Sequence, residues 1–126
     1  MLRIEELRST DVPAVHFVRP GEIDGLLAAE LNGREIEDRG QLLDALGRTL
    51  DFPHYYGANW DAFEECLYDR GCRDREGCVL VIRGGEALWE RLPGELGLLV
   101  AIWFDTATRL RQERVPLHLI LVVGPG

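Results

Sequence analysis

Two uninterrupted apolar runs organise the chain. Cys78-Val79-Leu80-Val81-Ile82 lies between Gly77 and Gly84-Gly85, and Leu117-His118-Leu119-Ile120-Leu121-Val122-Val123 lies near the C-terminus. Each predicts a strand buried on both faces, because a strand with one wet face would alternate. A third run, Leu26-Leu27-Ala28-Ala29-Glu30-Leu31, ends at the turn signal Asn32-Gly33 and predicts the first core strand. Between the strands the apolar spacing becomes helical. Leu42, Leu43, Leu46 and Leu50 share a face, with Asp38 placed as an N-cap. Asp51-Phe52-Pro53 stops this helix, since the residue before proline avoids the helical region. A second helix is expected from Asn59 to Tyr68. Trp89-Glu90-Arg91-Leu92 reads as a short helical turn ended by Pro93-Gly94, and a longer helix from Glu95 to Gln112 carries Leu96, Leu99, Val100, Trp103, Phe104 and Leu110.

Strands separated by helices predict an α/β fold, a three-stranded parallel sheet packed against helices with right-handed crossovers. Residues 1–24 are mixed. Ala14-Val15-His16-Phe17-Val18, between Pro13 and Pro20, reads either as an extra N-terminal edge strand or as an ordered arm. The chain thus divides into an N-terminal extension, 1–24, and a domain, 25–126. With 126 residues and 46% apolar composition, it is long enough to bury a core without staples.

Charge narrows the partners. The net charge of −8 argues against direct nucleic-acid binding, which needs a basic footprint, and permits a basic protein. All basic residues are Arg, so lysine Schiff-base and P-loop chemistry are excluded. Cys66, Cys72 and Cys78 lack the C-x-x-C spacing of a zinc site, and their odd number fits reduced, cytoplasmic thiols; a Cys72–Cys78 bridge is the minor alternative. Met1-Leu2-Arg3-Ile4-Glu5-Glu6 has no apolar core of a signal peptide, and no run approaches a membrane span.

The second helix has two faces. On a helical wheel Trp60, Phe63 and Leu67 fall together, with Ala62 and Cys66 beside them. Asp61, Glu65 and Asp69 fall opposite, with Glu64 and Tyr68 nearby. Asp61–Glu65 and Glu65–Asp69 are like-charge pairs four residues apart, which cost a helix a few tenths of a kcal/mol each. No Arg lies between Arg48 and Arg70 to relieve them. Asn59 suits the N-cap, and Gly57 is expected to supply the positive φ that turns the chain into the helix. Of Tyr55 and Tyr56, one is expected in the core with its hydroxyl bonded and the other at the surface beside the carboxylates. His54 lies next to them.

Tyr55-Tyr56-Gly57-x-Asn59-Trp60-Asp61-Ala62-Phe63-x-Glu65-Cys66-Leu67 resembles the barstar family, small acidic inhibitors of barnase-type microbial ribonucleases. Leu31-Asn32-Gly33-Arg34-Glu35-Ile36 resembles the family's opening, and the resemblance spans residues 25–123. It implies a barstar-like fold whose second helix and preceding turn plug the ribonuclease active site, with Tyr55, Asn59, Asp61 and Glu65 at the interface. The best-studied family helix carries Trp where this chain has Glu64 and Asp where it has Glu65. The loop from Gly71 to Gly77 also reads as longer and more charged.

The expectation is therefore a bacterial immunity protein, monomeric when free, that acts in the cytoplasm on a basic ribonuclease. Its partner-binding residues are Tyr55, Asn59, Asp61 and Glu65, extended to Glu64, Asp69 and His54. The alternative is an interaction module of the same fold with another basic partner, a different toxin or a regulator. An enzyme is disfavoured. His16, His54 and His118 are scattered, no nucleophile motif is present, and Asp61 with Glu65 gives too few ligands for a metal. No cofactor is implied, and His118 reads as a satisfied core residue.

Overall fold

A computed structural model describes residues 2, 4–23, 28–53, 56–73 and 75–124, without the side chains of Ile4 and Cys72. The elements are α1 (Ile4–Leu7), β1 (Val15–Val18), β2 (Ala29–Asn32), α2 (Arg39–Thr49), α3 (Trp60–Arg73), β3 (Cys78–Arg83), α4 (Gly85–Arg91), α5 (Pro93–Arg111) and β4 (Leu117–Val122). Short 3₁₀ turns cover Pro20–Ile23 and Gly33–Glu35.

The sheet has four parallel strands in the order β1-β4-β3-β2. The N-terminal segment thus supplies the fourth strand: Val15 to Val18 pair in register with Leu119 to Val122. β3 and β4 are central, which is why they read as continuous apolar runs. Leu80, Ile82, Leu119 and Leu121 point into the larger core with α2, α3 and α5. Val81, Ile120 and Val122 point to the opposite face, into a second cluster with Leu7, Val18 and Ile23. The N-terminal segment therefore covers the sheet face that the four later helices leave bare. Each fully buried aliphatic side chain of this kind contributes roughly 1.5–3 kcal/mol.

Several boundaries differ from the sequence expectation. β2 spans Ala29–Asn32, and the first part of the run that begins at Leu26 lies outside the described residues. α4 begins at Gly85, before the expected Trp89. Pro93 opens α5 as its first residue instead of ending a turn, a position where its missing N–H costs nothing. α3 runs on to Arg73. Gly71 looked like the start of a loop, but it sits inside the helix against Leu110. A Cβ there would lie 2.4 Å from Leu110 Cδ1, so the glycine allows α3 and α5 to approach closely.

Candidate functional site: the acidic face of α3

The site is built from α2, the turn that follows it, and α3. Asp38 caps α2 by accepting from the Gln41 amide at 2.8 Å, as its sequence position implied. Leu42, Leu43 and Leu46 of α2 are buried. After α2 the chain reverses through Asp51 at φ 55°, and the Phe52 amide donates back to the Gly47 carbonyl at 2.9 Å.

Aromatic packing then fixes the turn. Phe52 meets Tyr56 edge-on at 5.2 Å between ring centroids and Phe63 at 5.8 Å. The Tyr56 ring lies on Gly47, where a Cβ would come within 2.6 Å of it, and its hydroxyl donates to the Leu43 carbonyl at 3.1 Å. Burial pushes this phenol far above its ordinary pKa, so it remains a neutral donor. Tyr56 thus packs inward with its hydroxyl bonded, as expected for one of the two tyrosines. Tyr55 and His54 lie outside the described residues.

The positive φ at the helix entrance falls on Ala58, at 50°, and not on Gly57. Asn59 then caps α3: its Oδ1 accepts from the Ala62 amide at 2.8 Å, and its carbonyl accepts from the Phe63 amide at 2.9 Å. The exposed Asn59 side chain is therefore committed to the helix on its oxygen. Trp60 Nε1 donates to Glu95 Oε2 at 2.7 Å, which ties the first turn of α3 to the first turn of α5. Trp60 also meets Phe63 edge-on at 5.6 Å.

The wheel's division holds along α3. Phe63 and Leu67 are fully buried and Cys66 nearly so. Burial raises the Cys66 thiol pKa, with Asp69 and Glu65 adding to the rise, so this sulfur is a packing group without thiolate character. Asp61, Glu65 and Asp69 are exposed, and Glu64 is half exposed. Among the described residues none of these four carboxylates makes an ion pair. Successive members of the Asp61, Glu65, Asp69 row stand about 6 Å apart along the axis. Among the described residues, basic side chains stand at the far end, where Arg70 and Arg73 lie in the last turn of α3. Arg109 of α5 lies over the half-buried Tyr68 ring at 4.2 Å, and Arg73 Nε donates to the Asp69 carbonyl at 3.4 Å.

This arrangement presents anionic acceptors of the kind that complement cationic groups. It offers several carboxylate acceptors on a rigid helix. Among the described residues no group of three or more His, Cys, Asp or Glu is placed to hold a metal ion. His118 is buried in β4. Its rings and partners form a separate chain, with Nδ1 at 2.9 Å from His16 Nε2 and Nε2 at 2.9 Å from the Ser9 carbonyl. It is the satisfied core histidine that its place in β4 suggested.

The model of the family described as Barstar (barnase inhibitor) matches residues 26–122, most of the chain. The chain belongs to the barstar family. The family match spans β2 to β4, with α3 at its centre. No curated protein matches the chain. β1 and α1 fall before the matched span. Among the described residues no helix is long and apolar enough to cross a membrane. Glu95, which anchors Trp60, and Arg109, which bounds the acidic row, escaped the sequence reading. Both act across α3–α5 contacts that no local pattern encodes.

Proposed function

We propose that this barstar-family chain inhibits a barnase-type microbial ribonuclease by seating the acidic face of α3, with the turn before it, in the enzyme's active site. The observation that carries this reading is the row Asp61, Glu65 and Asp69, three exposed carboxylates without an ion-pair partner among the described residues. A ribonuclease site binds phosphate with cationic side chains, and a row of carboxylates on a rigid scaffold imitates that anion. Rigidity matters because ordering the groups beforehand lowers the entropic cost of association. The Trp60–Glu95 bond, the Asn59 cap and the Phe52–Tyr56–Phe63 cluster supply it. Asp61 and Glu65 form the centre of the contact. Glu64 and Asp69 flank it, and Asn59, Tyr55 and His54 belong to the turn that enters with the helix. The protein acts as an immunity protein in the cytoplasm, binds as a monomer, and gains association rate from its charge.

The test is titration of a panel of barnase-type ribonucleases with the folded protein, the panel including any such enzyme encoded beside this chain. Stoichiometric loss of RNA cleavage by at least one enzyme is expected. Full cleavage by every member at equimolar inhibitor contradicts the proposal. Capture of one basic protein without ribonuclease activity favours an interaction module of the same fold instead.

A further inference from the structure

We propose that the cleft between the last turn of α5 and the loop after α1 is a binding site for a compact phosphate-bearing anion, separate from the acidic face of α3. The cleft has a volume of about 520 Å³ and is lined by Arg8, Ser9, Thr10, Asp11, Arg111 and Arg114. Three arginines thus line one cleft in a chain whose net charge is −8. Among the described residues none of the three makes an ion pair or a side-chain hydrogen bond. The acid nearest them in sequence, Glu113, is already engaged: Arg75 Nη2 lies 3.6 Å from its carboxylate and 3.2 Å from its carbonyl. Arg111 and Arg114 are therefore left without that counterion.

The scaffold holds the cleft in place. His118 of β4 bonds the Ser9 carbonyl at 2.9 Å, and the Ser9 hydroxyl accepts from the Asp11 amide at 2.9 Å. That leaves the Ser9 hydroxyl proton free to donate. On the other wall, Arg114 is fixed at φ 58° immediately after α5, with its amide donating to the Arg111 carbonyl at 3.0 Å. Arg guanidinium groups and hydroxyl donors match the geometry of phosphate oxygens.

The ligand's size follows from the lining. No aromatic or apolar wall is present to stack a base, so the cleft reads the phosphate itself. One cluster of three arginines is also too small for the basic footprint of a nucleic-acid surface, which agrees with the overall acidity. The N-terminal end of the acidic face, where Glu95 anchors Trp60, lies toward the opposite end of α5 from this cleft. Glu95, which anchors Trp60, and Arg111 are about 24 Å apart along its axis.

The probe is inorganic pyrophosphate, titrated into the folded protein at constant ionic strength and followed by calorimetry and by amide chemical shifts. Saturable one-site binding is expected, with shifts confined to residues 8–11 and 111–115. Arg111→Gln and Arg114→Gln are each expected to weaken binding about tenfold or more, since each removes a charge-assisted contact. Asp11→Asn is expected to strengthen it severalfold by removing the one carboxylate in the lining. These side chains, apart from Thr10 and Ser9, are exposed, so the variants keep the fold. Three results overturn the proposal: a response that does not saturate, one reproduced by chloride at the same ionic strength, or one unchanged in all three variants.

Discussion

Replacing Glu65 by Arg should stabilise the protein while destroying its binding face. Glu65 lies midway along the exposed row, one turn from Asp61 and one from Asp69, and no ion pair among the described residues relieves it. Two like charges about 6 Å apart in water repel by about 0.7 kcal/mol before salt screening. Measured helix pairs at this spacing fall at about 0.2–0.5 kcal/mol each. Glu65→Arg removes two repulsive pairs and creates two attractive ones, four effects of that size. The sum is about 1–2 kcal/mol, and the lower end applies because the side chains are exposed. For a domain of this length that raises Tm by about 3–5 °C. The assay is urea and thermal unfolding of both proteins at low salt and again in 1 M NaCl. The gain should shrink in 1 M salt, where the screening length drops to about 3 Å. Equal or lower stability of the variant at low salt would refute the view that α3 tolerates its charges at a cost.

Three further outcomes follow from the packing. Gly47→Ala should cost about 1–3 kcal/mol, because its Cβ would meet the Tyr56 ring at 2.6 Å; near-ultraviolet dichroism should report the displaced tyrosine. Ala58 sits at φ 50°, so Ala58→Val should destabilise by about 1–2 kcal/mol and Ala58→Gly should stabilise by about 0.5 kcal/mol, measured by urea unfolding. His16 and His118 both have pKa values lowered from 6.5, chiefly by burial; His118 adds to the lowering at His16 against a smaller pull from Glu6, and at His118 the backbone hydrogen bonds to Ser9 and Pro13, then Glu6, oppose it. A lowered folded pKa favours the neutral ring, so this stability is complete above pH 6.5 and is lost as pH falls from there toward the folded values. Stability measured between pH 7.5 and 5.5 should decline more steeply for the natural protein than for His16→Gln with His118→Gln.

Much of this fold is written in local signals, and the exceptions have physical causes. β3 and β4 were legible because both of their faces are covered, and α2 because Asp38 and the leucine spacing agree. β1 was ambiguous because four residues at a sheet edge carry too short a pattern, and only their register with β4 decides it. α1 forms where Leu7 docks on the second face of the sheet, which no local propensity announces. Gly71 imitated a helix end because close packing against Leu110 and chain reversal both call for glycine. Pro93 imitated a stop because proline serves both at helix starts and after helix ends.

The candidate site divides in the same way. Periodicity alone placed Asp61, Glu65 and Asp69 on the exposed face and Phe63 and Leu67 in the core. The turn was harder, because Gly57 was the natural residue for a positive φ and Ala58 adopts it instead. Ala58 is packed against the core together with Phe52 and Tyr56, a tertiary constraint that no local turn signal carries. The Trp60–Glu95 bond that fixes the helix entrance joins residues 35 apart and was invisible for the same reason.

The most direct measurement compares the natural protein with the double variant Asp61→Ala, Glu65→Ala against a ribonuclease that the natural protein inhibits. Both carboxylates are exposed and repelled along the helix, so the variant should unfold at the same urea concentration or a higher one. Each carboxylate removed should forfeit charge-assisted bonds worth about 1.5–3 kcal/mol, so the inhibition constant should rise at least 100-fold. A folded double variant that inhibits as tightly as the natural protein would show that the acidic face of α3 is not where the ribonuclease binds.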